Sequence, residues 1–485
     1  MIIFAYKFKN QILIFLKMKK ILLIFTLFCL NKGFAQPIKY ASQNINLLGT
    51  WDDLTIPPSG NFVNSRYSSC WGYAQKGREY AIVGTHTGTA IIDITNPAVP
   101  KKVGFIKGKR DKCVWREYKT YKNYLYCISD DGAPNTFQIV DMSYLPDSVH
   151  ITHDNNTIFE RGHASFIDKN KLYISSVKFK AGSPVASTPM SVFDLSTPEK
   201  PVLLRSLNDD IPTATTAHDM FVQNDTCYMS GGYQGLFVYK LGKDNKFSQL
   251  GALSKYPSNG YNHTTMMLPG NQYMIMTDEV PNGLPAKVID VRDLADIKTV
   301  TTFSSGTIAT PHNIFPAPNK RIGLSYYEDG YQVFDLSNPA KPVRTGYFDT
   351  HYQTDSTNVT GGYSGLWSVY TELPSKNVIA VDMQNGLFVL DAKKAYGIKT
   401  NTKDLVNQSF ASVYPNPFSD NILIKSNENA KFDVAIFDVA GKIIFQSKNK
   451  NIDQLTIPTT DFVKGVYILQ LTNESKIQTE KVVKN

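Results

Sequence analysis

A short phrase that recurs along the chain constrains the fold more strongly than any other feature of the sequence. The phrase begins at Ala90 as AIIDITNPAVP, at Ser191 as SVFDLSTPEKP and at Gln332 as QVFDLSNPAKP. Each copy has an apolar run, an Asp, a turn that contains Pro and a second apolar run. Proline suits the turn because it has no N–H group for a sheet ladder. A repeat of about 45 residues built from short strands is typical of a β-propeller.

Aromatic or imidazole side chains recur at intervals of 44 to 55 residues, each shortly before the second strand of a repeat. The apolar runs are continuous or alternate with a period of two, which predicts strands rather than helices. Seven such positions, with seven second strands and seven third strands, predict seven blades. The recurring residues are Trp71, Trp115, His163, His218, His263, His312 and Trp367.

The last repeat lacks an outgoing strand, because LFVLDA at residues 387–392 runs into a polar segment. Residues 45–53, INLLGTWDD, resemble the fourth strand of a repeat but have no first three strands of their own. We therefore predict that this N-terminal strand completes the last blade and removes two open sheet edges. An ordinary edge strand is the alternative. The predicted fold class is all-β, with a closed seven-bladed β-propeller at residues 36–391.

The Asp of the phrase stands at one position of the repeat in all three strong copies, at Asp93, Asp194 and Asp335. A carboxylate directly before a turn readily accepts hydrogen bonds from the N–H groups of that turn. We therefore predict a structural rather than a catalytic role for these three acids.

A second domain is predicted after the repeats. Residues 392–409 are polar and lack periodicity, which is typical of a linker. Residues 410–485 contain alternating apolar runs separated by Pro-Asn-Pro, Ala-Gly-Lys and Lys-Gly turns. This pattern predicts a small C-terminal β-sandwich.

Ordered motifs follow one another in this C-terminal segment: Pro415, Asn416 and Pro417, then Gly441 and Lys442, then Gly465 and Tyr467, and finally a basic tail at residues 481–484. Together they resemble the type A C-terminal sorting domain of the type IX secretion system of Bacteroidetes. The resemblance implies that the type IX machinery is a partner and that the protein is secreted or attached to the outer-membrane surface. It also implies that the domain is removed during export. An ordinary adhesive β-sandwich is the alternative.

Residues 1–35 have the features of a signal peptide, and Met18 is an alternative start. From Met18 the sequence has a basic start, an apolar core and small residues up to Ala35. The apolar core is roughly half as long as the ~20 residues that a membrane-spanning helix requires. No later segment is long and apolar enough for such a helix, so we expect no transmembrane anchor. A membrane anchor or a lipoprotein at Cys29 are the alternatives.

The formal charge of +9 gives no reason to expect a nucleic-acid partner. Six lysines lie in residues 1–35, and without them 45 basic side chains stand against 42 acidic ones. No long run of Lys or Arg is present, whereas a surface that binds nucleic acid concentrates such residues. We therefore expect no nucleic acid among the partners.

The repeat also resembles a known family, through several words of sequence. These words are AIIDITNPAVPKKVG from Ala90, RGHAS at 161–165, AHDM at 217–220, NHTT at 262–265, PHNIF at 311–315 and GLWSVY at 365–370. They are similar to the LVIVD repeat and to the propeller family named choice-of-anchor B. The resemblance implies a propeller at the cell surface, and it implies no particular reaction.

Four cysteines follow the predicted signal peptide: Cys70, Cys113, Cys127 and Cys227. Export permits disulfides. Cys70 and Cys113 each stand near a recurring Trp in adjacent blades, whereas Cys113 and Cys127 lie on neighbouring strands of one blade. Free buried thiols are the third alternative, and the spacing does not choose among them.

Four of the eight histidines fall on one repeat position in consecutive blades: His163, His218, His263 and His312. Equivalent positions on the innermost strands of a propeller face its central channel, so we expect these imidazoles to converge. Asp219 directly follows His218, and further acids end the second strands. Imidazole with carboxylate suits a divalent metal such as zinc, manganese, iron or nickel. The strand-end acids are Asp130, Asp278, Glu279, Glu328, Asp329 and Asp382.

Two alternatives to a metal site stay open for these positions. Each imidazole can instead hydrogen-bond the neighbouring blade and serve the fold alone. The recurring Trp71, Trp115 and Trp367 complete the ring, where they either plug the channel or form an arc on which sugars stack.

The leading functional hypothesis is an exported binding module whose ligand, a glycan, a peptide or another protein, binds one face of the ring. The alternative is a metal-dependent enzyme, a hydrolase or lyase, in which the four histidines and Asp219 hold an ion that activates water. A purely structural envelope protein is the third class. No cofactor other than a divalent metal is expected.

Overall fold

The computed structural model describes residues 40–352, 359–398, 406–407, 411–426, 431–439, 441–451, 454–472 and 476–485. The chain divides into two compact units, residues 1–397 and 398–485. Strands dominate both units, and a 3-10 turn at Leu207–Asp209 is the one helical element among the described residues. The predicted signal peptide, residues 1–35, lies outside the described residues. In the described part of the chain, no helix has the length and apolar character needed to cross a membrane.

The first unit contains seven sheets in its described residues, and the strands of each repeat follow one another in order across a sheet. Two short strands come first, β1 (Ser42–Gln43) and β2 (Asn46–Trp51). The first sheet consists of β3 (Tyr67–Gln75), β4 (Arg78–Thr85), β5 (Gly88–Asp93) and β6 (Lys101–Lys107), and the second of β7 (Arg116–Tyr121), β8 (Tyr124–Ser129), β9 (Phe137–Asp141) and β10 (His150–Asn155). The third sheet consists of β11 (Ser165–Asp168), β12 (Lys171–Lys178), β13 (Ser187–Asp194) and β14 (Val202–Ser206). The fourth consists of β15 (Asp219–Gln223), β16 (Thr226–Ser230), β17 (Leu236–Leu241) and β18 (Phe247–Leu253).

The remaining three sheets of this unit follow the same pattern. The fifth consists of β19 (Asn262–Met267), β20 (Tyr273–Asp278), β21 (Ala286–Asp290) and β22 (Lys298–Phe303). The sixth consists of β23 (Pro311–Ala317), β24 (Arg321–Tyr326), β25 (Gly330–Asp335) and β26 (Val343–Phe348), with β1 as a fifth strand. The seventh consists of β27 (Leu366–Tyr370), β28 (Asn377–Asp382) and β29 (Gly386–Asp391), with β2 as its fourth strand.

The N-terminal strand β2 completes the seventh sheet. It pairs antiparallel with β29, from Asn46 opposite Asp391 to Trp51 opposite Leu387. This pairing confirms the prediction that residues 45–53 supply the missing outer strand. The shorter strand β1 pairs with β26 in the sixth sheet, an addition that the repeat pattern does not indicate.

The seven sheets follow one another in a closed circle. The first strand of each sheet lies beside the first strand of the next, in the order β3, β7, β11, β15, β19, β23 and β27, and β27 lies beside β3. These seven strands are therefore the innermost ones. As a result, side chains at equivalent positions on them surround a common centre.

Apolar side chains fill the spaces between neighbouring sheets. One cluster joins Val83 and Ile92 of the first sheet to Ile379 and Val389 of the seventh. Five further clusters do the same between consecutive sheets from the first to the sixth. Strand β5 is buried along its whole length, because a strand packed on both faces needs a continuous apolar run. Each fully buried aliphatic side chain contributes about 1.5–3 kcal/mol relative to an exposed one.

The acids of the repeat phrase have the predicted structural role. Asp93 accepts a hydrogen bond from the backbone N–H of Thr95 at 2.9 Å. Asp194 and Asp335 accept the equivalent bonds from the residues two positions further on, at 3.2 and 2.8 Å. Each carboxylate thus fixes the turn that leads into the fourth strand.

All four cysteines of the described chain are free and buried. Burial raises the pKa of the Cys70, Cys127 and Cys227 thiols. Of the three alternatives that the spacing leaves open, the structure supports free thiols packed in the cores.

The described residues of the second unit form two sheets. The five-stranded sheet has the order β30-β37-β36-β33-β34 and the three-stranded sheet has the order β31-β32-β35. Ile424 and Ile457 of the smaller sheet share one apolar core with Val434 and Leu469 of the larger sheet. The strands are β30 (Val406–Asn407), β31 (Ala411–Tyr414), β32 (Asn421–Ser426), β33 (Lys431–Asp438), β34 (Ile443–Asn451), β35 (Gln454–Pro458), β36 (Gly465–Thr472) and β37 (Lys476–Lys484).

The motif residues of the second unit hold its turns and its final strand together. The Asn416 amide donates to the carbonyl of Lys481 at 2.8 Å, and its Oδ1 accepts the N–H of Val483 at 3.0 Å. The segment Pro415–Pro417 is thereby bound to the basic tail. Gly441 has a φ of 81°, in the left-handed region that glycine adopts without strain, and Tyr467 is buried with its hydroxyl donating to a backbone carbonyl at 2.7 Å.

The first residues of the predicted linker are packed into the first unit. Ala392 and Tyr396 are buried, and the hydroxyls of Tyr396 and Tyr331 lie 2.6 Å apart. The polar composition of residues 392–409 does not reveal this packing, because it rests on three side chains, Ala392, Ala395 and Tyr396.

Candidate functional site

Six of the seven recurring residues lie at the start of an innermost strand. His263, His312 and Trp367 stand where the pairing register between the first and second strands shifts. An extra residue at such a bulge turns its side chain away from the regular ladder. Trp115 and His218 directly precede β7 and β15, and His163 lies two residues before β11. The repeat therefore places six rings at the same height along the innermost strands, facing the centre of the first unit.

These six rings contact one another in an unbroken series, which we call the central arc. His163 to His218 and His218 to His263 each have 4.2 Å between ring centroids. His263 and His312 are 4.3 Å apart, and the centroids of His312 and Trp367 are 4.5 Å apart. Trp367 stacks on Trp115 at 4.7 Å with 19° between the ring planes.

The expectation that Trp71 shares this position is wrong. The register between β3 and β4 shifts at Ser68 and Ser69, which therefore hold the equivalent position in the first sheet. The Trp71 ring lies farther along β3, where it contacts Tyr370 with 4.8 Å between centroids and donates its Nε1–H to Thr120. Its spacing of 44 residues from Trp115 matches the repeat, but spacing alone does not reveal an offset of three residues.

The arc lies between two cavities. One, of about 360 Å³, is lined by side chains along the seven innermost strands, and we call it the channel cavity. The other, of about 260 Å³, is lined by Phe62, Glu279, Val280, Tyr327 and Tyr363 together with arc residues, and we call it the cup. Five of the six arc residues line both cavities. The arc is therefore the floor of the cup.

Hydrogen bonds between sheets fix two of the imidazoles. His218 donates its Nδ1–H to the backbone carbonyl of His263 at 2.9 Å. His312 donates its Nδ1–H to the carbonyl of Trp367 at 2.6 Å. These bonds assign the tautomer that leaves a lone pair on each Nε2. They are the structural bonds that one alternative predicts, and they occupy only one nitrogen of each ring.

Two buried imidazole nitrogens of the arc have no hydrogen-bond partner among the described residues. They are Nδ1 of His263 and Nε2 of His312, on side chains that are 4% and 1% exposed. A buried polar atom without a partner costs about 1–3 kcal/mol. The arc thus carries a cost that its own contacts do not offset.

Glu279 brings a carboxylate near Nε2 of His263 and Nε2 of His312. It directly follows β20, and its Oε1 accepts a hydrogen bond from the Tyr327 hydroxyl at 2.5 Å. Its Oε2 lies 3.8 Å from Nε2 of His263, and its Oε1 lies 4.0 Å from Nε2 of His312. The donor atoms of His218, His263 and Glu279 all lie within 4.8 Å of one another.

Only some of the strand-end acids reach the arc. Asp130 hydrogen-bonds Nδ1 of His163, and Glu279 faces the other end. By contrast, Asp278 pairs with the fully buried Lys287 at 2.8 Å, and Glu328 accepts backbone N–H groups of a nearby loop. The sequence places all six acids at strand ends but does not separate the two that face the centre from the four that stabilise loops and cores.

Asp219 does not join the cluster, which corrects its assignment as a metal ligand. Its Oδ2 accepts a hydrogen bond from the Thr264 hydroxyl at 2.6 Å, and the residue lines the channel cavity. Because Asp219 is the first residue of β15 and follows His218 directly, alternation along the chain turns its side chain away from that of the imidazole.

The environment divides the arc into one charged imidazole and three neutral ones. Burial lowers the pKa of His163, but the charge and hydrogen bond of Asp130, with the charges of Glu117 and Asp219, outweigh burial and raise it to about 9. Burial and the neighbouring imidazoles hold the pKa of His218 and His263 well below its usual range. Burial lowers the pKa of His312 to about 3.

The cup also contains side chains that no sequence pattern indicates. Phe62 and Tyr363 lie on loops and form an edge-to-face pair with 6.4 Å between centroids. Tyr327 follows β24 at the strand-end position that elsewhere carries an acid. Exposed aromatic residues on loops carry no periodicity, so only the folded chain reveals that they meet.

The C-terminal residues 412–485 match a family model described as a secretion system C-terminal sorting domain. This match confirms the predicted sorting tail. The tail implies export by the type IX secretion system, and hence a secreted or cell-surface protein.

One curated protein shares a short stretch with this chain. The ulvan lyase NLR42 of Nonlabens ulvanivorans is 29% identical over 100 residues, which are 20% of this chain and 18% of that protein. The matched stretch thus spans less than a fifth of that relative.

Solved structures with β-propeller folds are among those similar to the chain. The WD40 β-propeller domain of Doa1 has a TM-score of 0.46 at 10% identity, covering 74% of this chain and 99% of that one. PorZ, a surface component of the type IX secretion system of Porphyromonas gingivalis, has a TM-score of 0.38 at 11% identity, covering 87% and 70%. A protein from Lactobacillus plantarum has a TM-score of 0.45 at 11% identity, covering 80% and 98%.

Proposed function

We propose that this protein is a secreted or cell-surface β-propeller that binds an extracellular ligand in the cup at the centre of its first unit. The observation that carries the proposal is the central arc, an unbroken series of four imidazoles and two indoles that forms the floor of an open cavity. Concave sites lined by aromatic groups with a few polar atoms are the usual form of ligand pockets.

We infer that the first unit is a seven-bladed propeller of the LVIVD type and belongs with the choice-of-anchor B proteins. Seven sheets in a closed circle, with β2 as the last outer strand, support the blade count. The repeat phrase supports the family. The predicted boundaries are a signal peptide at 1–35, the propeller at 36–391, a linker at 392–409 and the sorting domain at 410–485. A β-sandwich in the last segment is supported by its two sheets around one core.

The chemistry of the cup favours a glycan or a peptide as ligand. Phe62 is 76% exposed at its rim, and Tyr233, near the arc, is 67% exposed. Tyr261 connects the exposed Tyr233 to the floor of the cup, because its ring contacts those of both Tyr233 and His218, with 5.1 and 5.4 Å between centroids. Aromatic faces stack on sugar rings and on peptide side chains, while the imidazoles and Glu279 offer hydrogen bonds that fix orientation.

An array of extracellular polysaccharide fragments and peptides, probed with the full chain in the presence of a chelator, tests this function. We expect binding to one ligand class, weakened about tenfold by Phe62→Ala because loss of a stacking face costs roughly 0.5–1.5 kcal/mol. Tyr144→Ala is the matched control, since Tyr144 is 48% exposed and does not line the cup. Equal binding by wild type and Phe62→Ala would place the ligand elsewhere.

The metal-dependent hydrolase or lyase considered from the sequence stays a prediction. Catalysis of that kind needs an ion in the arc and a coordination position open to substrate. The binding role does not need either. The two hypotheses separate when a bound glycan is incubated with the protein, because only the enzyme hypothesis predicts that shorter or unsaturated products accumulate.

A further inference from the structure

We propose that His218, His263 and Glu279 bind one divalent transition-metal ion of the zinc type on the floor of the cup. The inference concerns the metal alone and does not depend on the ligand proposed for the cup. The donors come from neighbouring sheets, His218 from the residue before β15, and His263 and Glu279 from the same end of the antiparallel β19–β20 pair.

The positions of the donor atoms suit one ion after a small closure. The three donor atoms lie within 4.8 Å of one another. Zinc–ligand bonds are ~2.0–2.2 Å long, which places neighbouring ligands of a tetrahedral ion about 3.4 Å apart. Movements of about 1 Å close this gap, and Glu279 has the most freedom to make them because its side chain has several rotatable bonds.

The hydrogen bonds around the donors have the form that metal sites use. A histidine that binds a metal through one nitrogen usually donates its other N–H to a carbonyl or carboxylate, which fixes the ring. His218 does this through Nδ1 and the His263 carbonyl at 2.9 Å. Tyr327 in turn donates to Glu279 at 2.5 Å and positions the carboxylate. Both contacts leave a lone pair free on the donor residue, at Nε2 of His218 and on the Glu279 carboxylate.

A buried nitrogen without a partner points independently to an occupant. Nε2 of His312 has no hydrogen-bond partner among the described residues, on a side chain that is 1% exposed. It lies 4.0 Å from Oε1 of Glu279, so it borders the space between the three donors. An ion bound by His218, His263 and Glu279 would lie near this nitrogen and would offset part of the cost of leaving it unpaired.

The donor set selects the class of metal. Imidazole nitrogens with a single carboxylate suit zinc, iron, copper and nickel, whereas calcium and magnesium prefer six or more oxygen ligands. The second candidate acid, Asp219, is already bonded to Thr264 and adds no oxygen. A hard oxygen-bound ion is thus excluded on donor chemistry, and zinc is the appropriate probe.

Isothermal titration of Zn²⁺ into the chelator-treated, dialysed full chain tests the proposal. We expect one equivalent of zinc in the wild type and a loss of affinity of at least 100-fold in the His218→Ala/His263→Ala double variant. His150→Ala is the matched control, because His150 is exposed and stacks on Tyr144 away from the arc; its affinity should equal that of the wild type. Absence of zinc uptake by the wild type, or unchanged uptake by the double variant, would overturn the proposal.

A gentler variant keeps the test valid if the double variant does not fold. Glu279→Gln preserves the size of the side chain and an oxygen acceptor for Tyr327. We expect zinc affinity to fall at least tenfold and the visible absorption of the Co²⁺-loaded protein to change, because a coordinating carboxylate is replaced by a neutral amide. Equal zinc affinity and an unchanged Co²⁺ spectrum in Glu279→Gln would contradict a site that includes this carboxylate.

Discussion

The central arc has an imidazole half, formed by its histidines, and an indole half, formed by its tryptophans. The two halves occupy the same repeat position but have different roles. His218, His263 and His312 stand at the starts of consecutive inner strands, and His218 and His263 line the cup. Trp367 and Trp115 stand at the same position in the seventh and second sheets and stack on each other at 4.7 Å. The first sheet lies between those two sheets in the circle and carries Ser68 at this position. The backbone therefore sets where a ring lies, and the side chain decides whether the position packs or binds.

The difference has a simple physical origin. An indole is wide enough to reach across the sheet that contributes no ring, so two of them bridge the seventh and second sheets by stacking. An imidazole is smaller and has two nitrogens, so it can hydrogen-bond the next sheet through one nitrogen and keep the other for a ligand. We therefore expect the indole half to dominate stability and the imidazole half to dominate binding.

The largest expected effect is on stability, from Trp367→Ala. Deleting a large buried aromatic side chain costs about 3–5 kcal/mol, and Trp367 is 9% exposed and contacts Trp115, His312 and Tyr327. Urea denaturation of the full chain followed by circular dichroism measures the loss. His218→Ala is the matched control at the same repeat position, and it should cost only about 1 kcal/mol, the usual value of one hydrogen bond. A larger loss from His218→Ala than from Trp367→Ala would reverse the assigned roles.

A histidine outside the arc shows what an imidazole does among carboxylates. His351 is buried beside Asp349 and Asp382, and its Nδ1 lies 3.4 Å from the Asp382 carboxylate. Burial lowers the pKa of His351, but the hydrogen bond and charge of Asp382, with the charges of Asp349 and Glu328, raise it overall. Burial, with the charges of Asp329 and Asp382, raises the pKa of Asp349 to about 7.

These two shifts predict the same direction of pH dependence. Asp349 holds its proton more tightly in the folded state, so its cost to stability is absent below its unfolded pKa near 4, grows as pH rises, and is complete above about 7. The stabilising contribution of His351 is present below about 6.5 and is lost as pH rises through its raised pKa. Asp349→Asn removes the cost of ionising Asp349, so it should raise the free energy of unfolding by about 4 kcal/mol at pH 8 and change it little at pH 4.5. Equal effects of Asp349→Asn at both pH values would show that the carboxyl does not titrate in this range.

The smallest expected effect comes from Tyr327→Phe, which removes one hydroxyl from the cup. The ring and its packing stay, so stability should fall by only about 1 kcal/mol. Zinc affinity should fall about tenfold, because Glu279 loses the donor that orients its carboxylate. Titration of Zn²⁺ into this variant separates positioning from packing. An unchanged affinity would mean that Tyr327 supports the fold of the cup but not the ion.

Much of the fold could be predicted from the sequence, because each repeat contains the same order of strands and turns. The repeat period and the turn residues predict the turns after the Asp of each repeat phrase, the second and third strands, and the closing strand at 45–53. The sorting tail follows from its ordered motifs. The burial of Ala392, Ala395 and Tyr396 does not, since three packed side chains leave no pattern.

The candidate site could be predicted only in part. The shared position of the histidines follows from spacing, and their convergence follows from the circular fold. Trp71 and Asp219 line the channel cavity but do not join the arc and the donor cluster, because a shift of one to three residues on a strand changes where a side chain lies, and the bulges that set this shift have no signature in the sequence. Glu279 was one of six strand-end acids, and only the packing of Tyr327 distinguishes it.

The most direct test of the central claim, that the imidazole half of the arc is a binding site, is anomalous X-ray diffraction at the zinc edge from crystals of the full chain grown with Zn²⁺. We predict one strong anomalous peak within bonding distance of Nε2 of His218, Nε2 of His263 and a carboxylate oxygen of Glu279. A zinc peak only at surface residues, with the arc empty in the same crystal, would contradict the claim and leave the four imidazoles as packing between sheets.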